Sequence, residues 1–306
     1  MGYRRRYGLA TTSYGDKAMT FIIYTLLLFL GFASFYPFWN ATVVSFNSGT
    51  DTMQGGVTFW PREFSLDNYE VVFRDSRLLN GFLISVLRTV AGTSSAVLAT
   101  AIFAYGMSKR ELMGRNAYMV VCVITMYFGG GLIPTFLLIR ELGLMDSFWV
   151  MIVPGLISVW NMIIFRTFFL GLPAGLEESA KLDGCSSWGI LFRIVLPLSG
   201  PVIATLALFT AVYHWNDWFT PGIYISKIDL LPIQTKLQQI LSSNIMSEQM
   251  SQMDSAAKSH MDRMKTVTTK SLSMATMIVA TVPILCVYPF VQKYFVKGVL
   301  IGSLKE

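Results

Sequence analysis

The chain has 306 residues, of which 53% are apolar and 14% are charged, and its formal net charge is +6. So few charges cannot coat a soluble body of this length, and the apolar segments are therefore expected to face lipid. The basic residues are spread over short loops and do not form a patch with interleaved aromatics, which argues against a nucleic-acid partner.

Six apolar runs are each long enough to cross about 30 Å of hydrocarbon as a helix. They lie at residues 21–38, 81–107, 117–138, 148–169, 197–213 and 272–290. We therefore predict an all-α membrane protein in which residues 18–290 form a six-helix domain, residues 1–17 precede it and residues 291–306 form a tail. Two polar segments, 47–79 and 220–270, then lie on one side of the membrane, and the loop 171–197 lies on the other.

Six spans place both termini on the same side of the membrane. Arg4, Arg5 and Arg6 precede the first span, and further basic residues occupy the loop after the second span, the loop 171–197 and the tail. Since short cytoplasmic loops are enriched in lysine and arginine, both termini and the loop 171–197 are predicted to be cytoplasmic.

Two of the predicted spans contain residues that a lipid-facing helix would avoid. Arg88 lies about two turns inside the second span, where a charge is costly unless it snorkels to the interface or meets a polar partner. The third span contains Gly129-Gly130-Gly131 and Pro134, which must loosen or kink the helix. Such a break is typical of a translocation path or of close helix packing.

In the outer segment 220–270, apolar residues recur at helical spacing and predict one or two amphipathic helices on the outer surface. These residues are Ile233, Leu237, Ile240, Leu241, Met246, Met250, Met253, Met261 and Met264. The helices are expected either to receive a delivery protein or to cap the helix bundle.

The polar loop between the fourth and fifth spans divides into a small helix, a glycine break and a second helical start. Glu177, Glu178 and Ala180 favour helix, whereas Asp183-Gly184 ends it, because glycine takes positive φ without steric penalty. We therefore expect a short helix that lies on the membrane surface and docks a partner. The alternative is an ordinary amphipathic surface helix.

This loop resembles the EAA loop of importer-type ABC permeases, with serine in place of the first alanine. The matching residues are Glu178, Ser179, Ala180, Asp183, Gly184, Ile194, Leu196 and Pro197. In that family the loop is the coupling helix, which seats in a groove on a cytoplasmic ATPase. The resemblance implies that Glu178 pairs with a basic groove residue, Gly184 lets the loop turn, and Pro197 sets where the fifth span begins.

The likeness extends over most of the chain. Segments 80–85, 126–134 and 288–302 and the Trp215-Asn216 pair are similar to carbohydrate-uptake permeases of the maltose-transporter G-subunit type, in the multiple-sugar, oligosaccharide or lipoprotein-type branch. This implies a type I ABC importer permease in the bacterial plasma (inner) membrane. It also implies a second permease subunit, two copies of an ATPase subunit, an extracytoplasmic solute-binding protein and a sugar substrate.

Several kinds of site are absent from the sequence. There is no Gly-x-x-x-x-Gly-Lys-Ser/Thr phosphate loop, so ATP and Mg are expected on the partner ATPase. No His-Glu-x-x-His or Gly-x-Ser-x-Gly motif occurs, and the three cysteines are scattered, so we expect no catalytic residue, metal or other cofactor on this chain. The only histidines, His214 and His260, are expected outside the apolar core.

The predicted spans contain no aspartate or glutamate, which disfavours a self-contained secondary carrier or channel, the alternative function. An ABC importer for a non-sugar solute is a further alternative. For the substrate path we predict Arg88, as a charge inside a span, and Trp215, Asn216 and Asp217 at the outer end of the fifth span. Rings stack on pyranose faces and amides bond sugar hydroxyls, but every span contains aromatics, so this chemistry does not select the residues. Contact with the delivery protein is the other role considered for residues 215–217.

Overall fold

The computed structural model describes residues 14–253 and 267–303, with side chains over 15–243 and 267–286. Within those ranges the secondary structure is helical and has no strand, in agreement with the predicted all-α class. The α-helices are α1 (Tyr14–Ser45), α2 (Gly49–Met53), α3 (Asp67–Arg74), α4 (Ser76–Ser108), α5 (Arg115–Tyr127), α6 (Leu132–Glu141), α7 (Val159–Leu170), α8 (Ala174–Leu182), α9 (Ser187–Ile190), α10 (Leu196–Leu198), α11 (Gly200–Asn216), α12 (Phe219–Tyr224), α13 (Ile233–Met253) and α14 (Thr269–Ser303). Shorter turns of 3-10 helix cover Phe148–Met151, Val153–Gly155 and Ile228–Leu230, and a π-helix covers Leu191–Val195.

By length and composition, the described residues contain three unbroken helices that are able to cross a membrane, at Gly15–Ser45, Ser76–Ser108 and Thr269–Cys286. Three further candidates are bent pairs: Arg115–Tyr127 with Leu132–Glu141 (112°), Phe148–Gly155 with Val159–Leu170 (49°), and Ser187–Leu198 with Gly200–Asn216 (83°). If each bent pair is one span, the total is six.

The bends modify the predicted third, fourth and fifth spans. The predicted kink in the third span is a complete break, because Gly131 has a φ of 85° and Pro134 fits only in the first turn of the following helix. The fourth span begins as 3-10 turns around Pro154, and its α-helix begins only at Val159. The α-helix of the fifth span begins at Gly200, three residues beyond Pro197.

Helix α4 is at the centre of the packed core. Small residues on its surface, Ala101 and Ala104, are buried against Met162 and Phe165 of α7 and Leu206 of α11. In lipid such packing is driven by van der Waals contact more than by removal of apolar surface from water, so close approach is needed.

The predicted amphipathic helix of the outer segment is present as α13. Ile233 and Leu237 are buried against Val72 of α3, Leu78 of α4 and Ala275 of α14, while Ile240 and Leu241 pack beside them. This face of α13 therefore packs against the helix bundle. The methionine side chains at 246, 250, 253, 261 and 264 lie outside the described residues.

A network of polar side chains stabilises the segment that follows α1, residues 47–79. The Asn47 amide donates to Asp51 Oδ2 (2.8 Å), and its Oδ1 accepts from the N–H groups of Arg62 (2.9 Å) and Glu63 (3.0 Å). Asn68 donates to the carbonyl oxygens of Ser45 and Asn47, both at 3.0 Å. The fully buried Asn47 thus connects α2 to the stretch of chain at residues 62–63.

Asp51 is held as a carboxylate in this network. The hydrogen bond from Asn47 and the Arg62 guanidinium lower the pKa of Asp51, although burial opposes the shift. A lowered pKa means that the ionised group stabilises the folded chain above its ordinary pKa of 3.8, and that this contribution is lost as the pH falls below it.

Replacing Asn47 with alanine is expected to destabilise the chain by about 2 kcal/mol, since it leaves buried donors and acceptors unpaired. Thermal unfolding of the purified chain in detergent measures the effect. Gln54→Ala is the control, because Gln54 is an exposed amide in the same loop. Equal unfolding temperatures for the two variants would contradict the central place given to Asn47.

Candidate functional site

The loop between α7 and α11 has the predicted arrangement of a small helix, a glycine turn and a second helix. At the end of α8 the Cys185 N–H donates to the Ala180 carbonyl (2.9 Å) and the Gly184 N–H donates to the Lys181 carbonyl (3.0 Å). Gly184 has a φ of 78°. These two bonds and the left-handed glycine form a Schellman motif, which is how Asp183-Gly184 ends the helix.

Helix α8 has one buried residue and a broad exposed face. Ala180 packs into the core, whereas Glu178 and Ser179 are exposed. Leu182, one turn after Glu178, is 89% exposed, and Leu176 is 43% exposed, so α8 also has accessible apolar side chains. Within the described part of the chain Glu178 forms no ion pair. This face can therefore offer both a charge and apolar area to another protein.

The rest of the motif lies on the segment that returns to the bundle. Ile194 and Leu196 pack against the core, whereas Asp183 and Pro197 are exposed. The π-helix ends at Val195, and the buried Ser199 hydroxyl donates to the Val195 carbonyl (2.6 Å). The motif residues thus divide into an inward set that fixes the loop and an outward set that is accessible.

At the other end of α11, Arg88 and Asp217 form a buried ion pair between α4 and the residue that follows α11. The Arg88 side chain is 1% exposed, and its Nη1 also donates to the Asp217 carbonyl oxygen (2.7 Å). Asp217 Oδ1 accepts from the N–H groups of Phe219 and Thr220, both at 3.1 Å, at the start of α12. Arg88 therefore has the polar partner considered for it, and the snorkelling interpretation is wrong.

The contact between α4 and α11 next to this pair is formed by Gly92 and His214. His214 is 2% exposed, and a Cβ atom added at Gly92 would lie 2.6 Å from its Nε2. His214 was expected outside the apolar core, and its burial is not predicted from the sequence. No local signal shows that a glycine in another helix makes room for the imidazole.

Trp215 and Asn216 differ in their surroundings. Trp215 is buried, donates from Nε1 to the Ala280 carbonyl of α14 (3.0 Å) and meets the Phe82 ring edge-on with centroids 5.7 Å apart. Asn216 is exposed. Of the four residues predicted for a substrate path, Arg88 and Trp215 are thus buried, and the Asp217 side chain is largely covered beside Arg88. Their contact with a substrate stays a prediction.

A comparison with known families identifies the chain. The model of the family described as "Binding-protein-dependent transport system inner membrane component" matches residues 73–301. The chain belongs to this family. The resemblance drawn from the loop and the apolar segments is therefore confirmed at the level of the family.

Relatives of known description agree with this assignment. The polygalacturonan/rhamnogalacturonan transport system permease protein YtcP of Bacillus subtilis (strain 168) is 41% identical over 291 residues, covering 95% of this chain and 99% of the relative. Protein LplC of the same organism is 40% identical over 283 residues, covering 91% of this chain and 93% of the relative.

A solved structure supports the fold. A chain of a bacterial ABC transporter involved in the import of the acidic polysaccharide alginate has a TM-score of 0.80 and 25% identity, covering 92% of this chain and 98% of that one. The predicted type I importer permease architecture is confirmed by this likeness.

Replacing Arg88 with methionine is expected to destabilise the folded permease by about 3–5 kcal/mol, because it leaves the Asp217 carboxylate buried without its cation. Thermal unfolding in detergent measures the loss. The double variant Arg88→Met/Asp217→Asn removes both charges and keeps an oxygen to cap α12, so it should recover most of the stability. A single variant as stable as wild type would contradict the pair's importance.

Replacing Gly92 with alanine is expected to cost about 1–3 kcal/mol, because the new methyl group overlaps the His214 ring and forces α4 away from α11. Gly106→Ala is the matched control on the same helix, since an added Cβ there meets nothing within 4 Å. The unfolding temperatures of the two variants should differ clearly. If both behave alike, α4 and α11 do not approach as closely as described.

Proposed function

We propose that this chain is one of two permease subunits of an ATP-driven, binding-protein-dependent importer of sugars, with oligosaccharides as its substrates. The exposed face of α8, with Glu178 and Leu182, is the observation that carries the proposal, because a transport component without its own phosphate loop needs a surface that meets an ATPase. The described substrates of YtcP and of the alginate transporter are polysaccharides, which supports an oligosaccharide substrate here.

In this proposal two cytoplasmic ATPase subunits bind ATP and Mg, and α8 of each permease seats on one of them. An extracytoplasmic binding protein delivers the sugar at the opposite face. Both termini of the chain and α8 then lie on the cytoplasmic side of the bacterial inner membrane, as the distribution of basic residues favours. Closure of the ATPase pair draws the coupling helices together and moves the spans as rigid bodies between inward-open and outward-open states.

The sugar is proposed to occupy a path shared with the second permease. A groove of about 580 Å³ between α4, α11 and α14 has an apolar lining that includes Val86, Phe209 and Ile284. Sugar recognition needs convergent hydrogen-bonding groups, which this groove does not offer. The groove therefore suits packing by another helix or by lipid, and the partner subunit is proposed to supply most contacts with the sugar.

The docking role of α8 is tested with Glu178→Lys. The tagged chain is purified gently from its native membranes, and the proteins that co-purify are identified by mass. Wild type should bring a second permease and a soluble ATPase, whereas the charge reversal should weaken ATPase binding by at least ~100-fold, since a partly buried charge pair is lost.

Glu141→Lys is the control, because Glu141 is an exposed glutamate at the end of α6 with the same change of charge. It should retain the ATPase. A wild-type chain that purifies alone would refute the proposed function, and an ATPase retained by Glu178→Lys would refute the docking role of Glu178.

A further inference from the structure

Two neighbouring glutamates on α8 have different surroundings. Glu178 is exposed, whereas Glu177 accepts a hydrogen bond from the Lys109 ammonium at 2.5 Å. Lys109 is the residue that caps the C-terminal end of α4, 68 positions earlier in the chain. The two acidic side chains therefore face different partners, one outside the chain and one inside it.

The Lys109 ammonium also lies 3.8 Å from the centroid of the Tyr105 ring. Tyr105 is 7% exposed and meets Phe169 of α7 edge-on, with ring centroids 6.3 Å apart. The side chains of Lys109 and Glu177 are only 25% and 29% exposed. Since the cation is held between a carboxylate and a fixed aromatic face, this pair is better ordered than a pair on an open surface.

Few other contacts fix α8 to the body of the chain. Ala180 is its one buried residue. The second ion pair of α8, between Lys181 and Glu111, has a distance of 3.7 Å and side-chain exposures of 48% and 86%, so it contributes little. Among the described residues, burial of Ala180 and the pair of Glu177 with Lys109 are therefore the main contacts that hold α8 on the body of the chain.

The end of α4 is itself fixed, because Arg166 of α7 donates from Nε to the Met107 carbonyl (3.0 Å). From there α4 runs unbroken to the segment that carries Gly92 and Arg88 and packs on α11. The covalent path from α8 to α11 is less direct, since it passes through the π-helix and an 83° bend. A π-helical turn and a sharp bend interrupt the regular hydrogen bonding of a helix, whereas α4 is continuous.

We propose that Lys109 and Glu177 form a positioning pair that joins the coupling helix α8 to α4, so that displacement of α8 by the ATPase moves α4. Glu177 acts through Lys109 and has no contact with the ATPase. This inference rests on the proposed function, in which α8 docks on an ATPase.

The test compares Glu177→Gln, Lys109→Gln and the exchanged pair Lys109→Glu/Glu177→Lys in the co-purified complex. The control is Glu111→Gln, which removes the carboxylate of the exposed pair. Two quantities are measured: the amount of co-purified ATPase, and the change in amide hydrogen exchange of residues 76–108 when ATP with Mg is added. Neither measurement requires the transported sugar to be known.

Glu177→Gln and Lys109→Gln should retain the ATPase at the wild-type level but reduce the ATP-dependent exchange change in α4 by about threefold, the size expected for loss of a partly exposed ion pair. The exchanged pair should restore part of the change, because it forms the ion pair again without the contact between a cation and the Tyr105 ring, and Glu111→Gln should not affect it. Restoration by the exchanged pair separates a positioning role from a general loss of structure, which a charge exchange would not repair.

Three results would overturn the inference: loss of the ATPase from Glu177→Gln to the extent seen with Glu178→Lys, an unaltered exchange change in α4, or no restoration by the exchanged pair. A wild-type chain that brings no ATPase would instead refute the proposed function, and the positioning role would be refuted with it. The wild-type sample thus distinguishes the two failures.

Discussion

A guanidinium group buried among apolar helices needs a carboxylate and further acceptors, because an unpaired charge there costs several kcal/mol. Arg88 meets this requirement with both the side chain and the backbone carbonyl of Asp217. Since Asp217 also accepts the first N–H groups of α12, the same residue connects the end of α11, the start of α12 and the buried charge of α4. The buried charge on α4 therefore holds in place the turn between α11 and α12.

The segment 220–270 makes further polar contacts with α4, two of them from the beginning of α13. Ser85 accepts the Ile233 N–H (2.9 Å), and the Lys236 ammonium donates to the Arg77 carbonyl (2.5 Å). Gly81 allows the Lys236 side chain to pass, since a Cβ there would lie 2.9 Å from Lys236 Cδ. Small or polar residues of α4 therefore form its contacts with both neighbouring helices. Gly81 and Ser85 contact α13, and Gly92 contacts α11.

The parts of this structure that local sequence determines were predictable. The turn at Gly184 ends α8 through backbone conformation alone, and Gly131 with Pro134 breaks the third span for similar reasons. For long-range contacts, the sequence predicted that a partner was needed but did not predict which residue it is. The charge of Arg88 requires a polar partner, but no residue near it in the sequence indicates Asp217, which is 129 residues away. His214 can be buried only because Gly92, on another helix, has no side chain where the imidazole lies. Neither residue alone predicts this contact from the sequence.

The same distinction applies to the motif in α8. Sequence likeness selects Glu178 because the family motif contains a glutamate there, and its exposure agrees with a contact outside the chain. Glu177 carries the same charge one position earlier, yet the helical rotation of about 100° per residue turns it towards Lys109. In the proposals made above, the two adjacent carboxylates therefore serve docking and positioning separately, because Glu178 is exposed while Glu177 is paired with Lys109 at the end of α4.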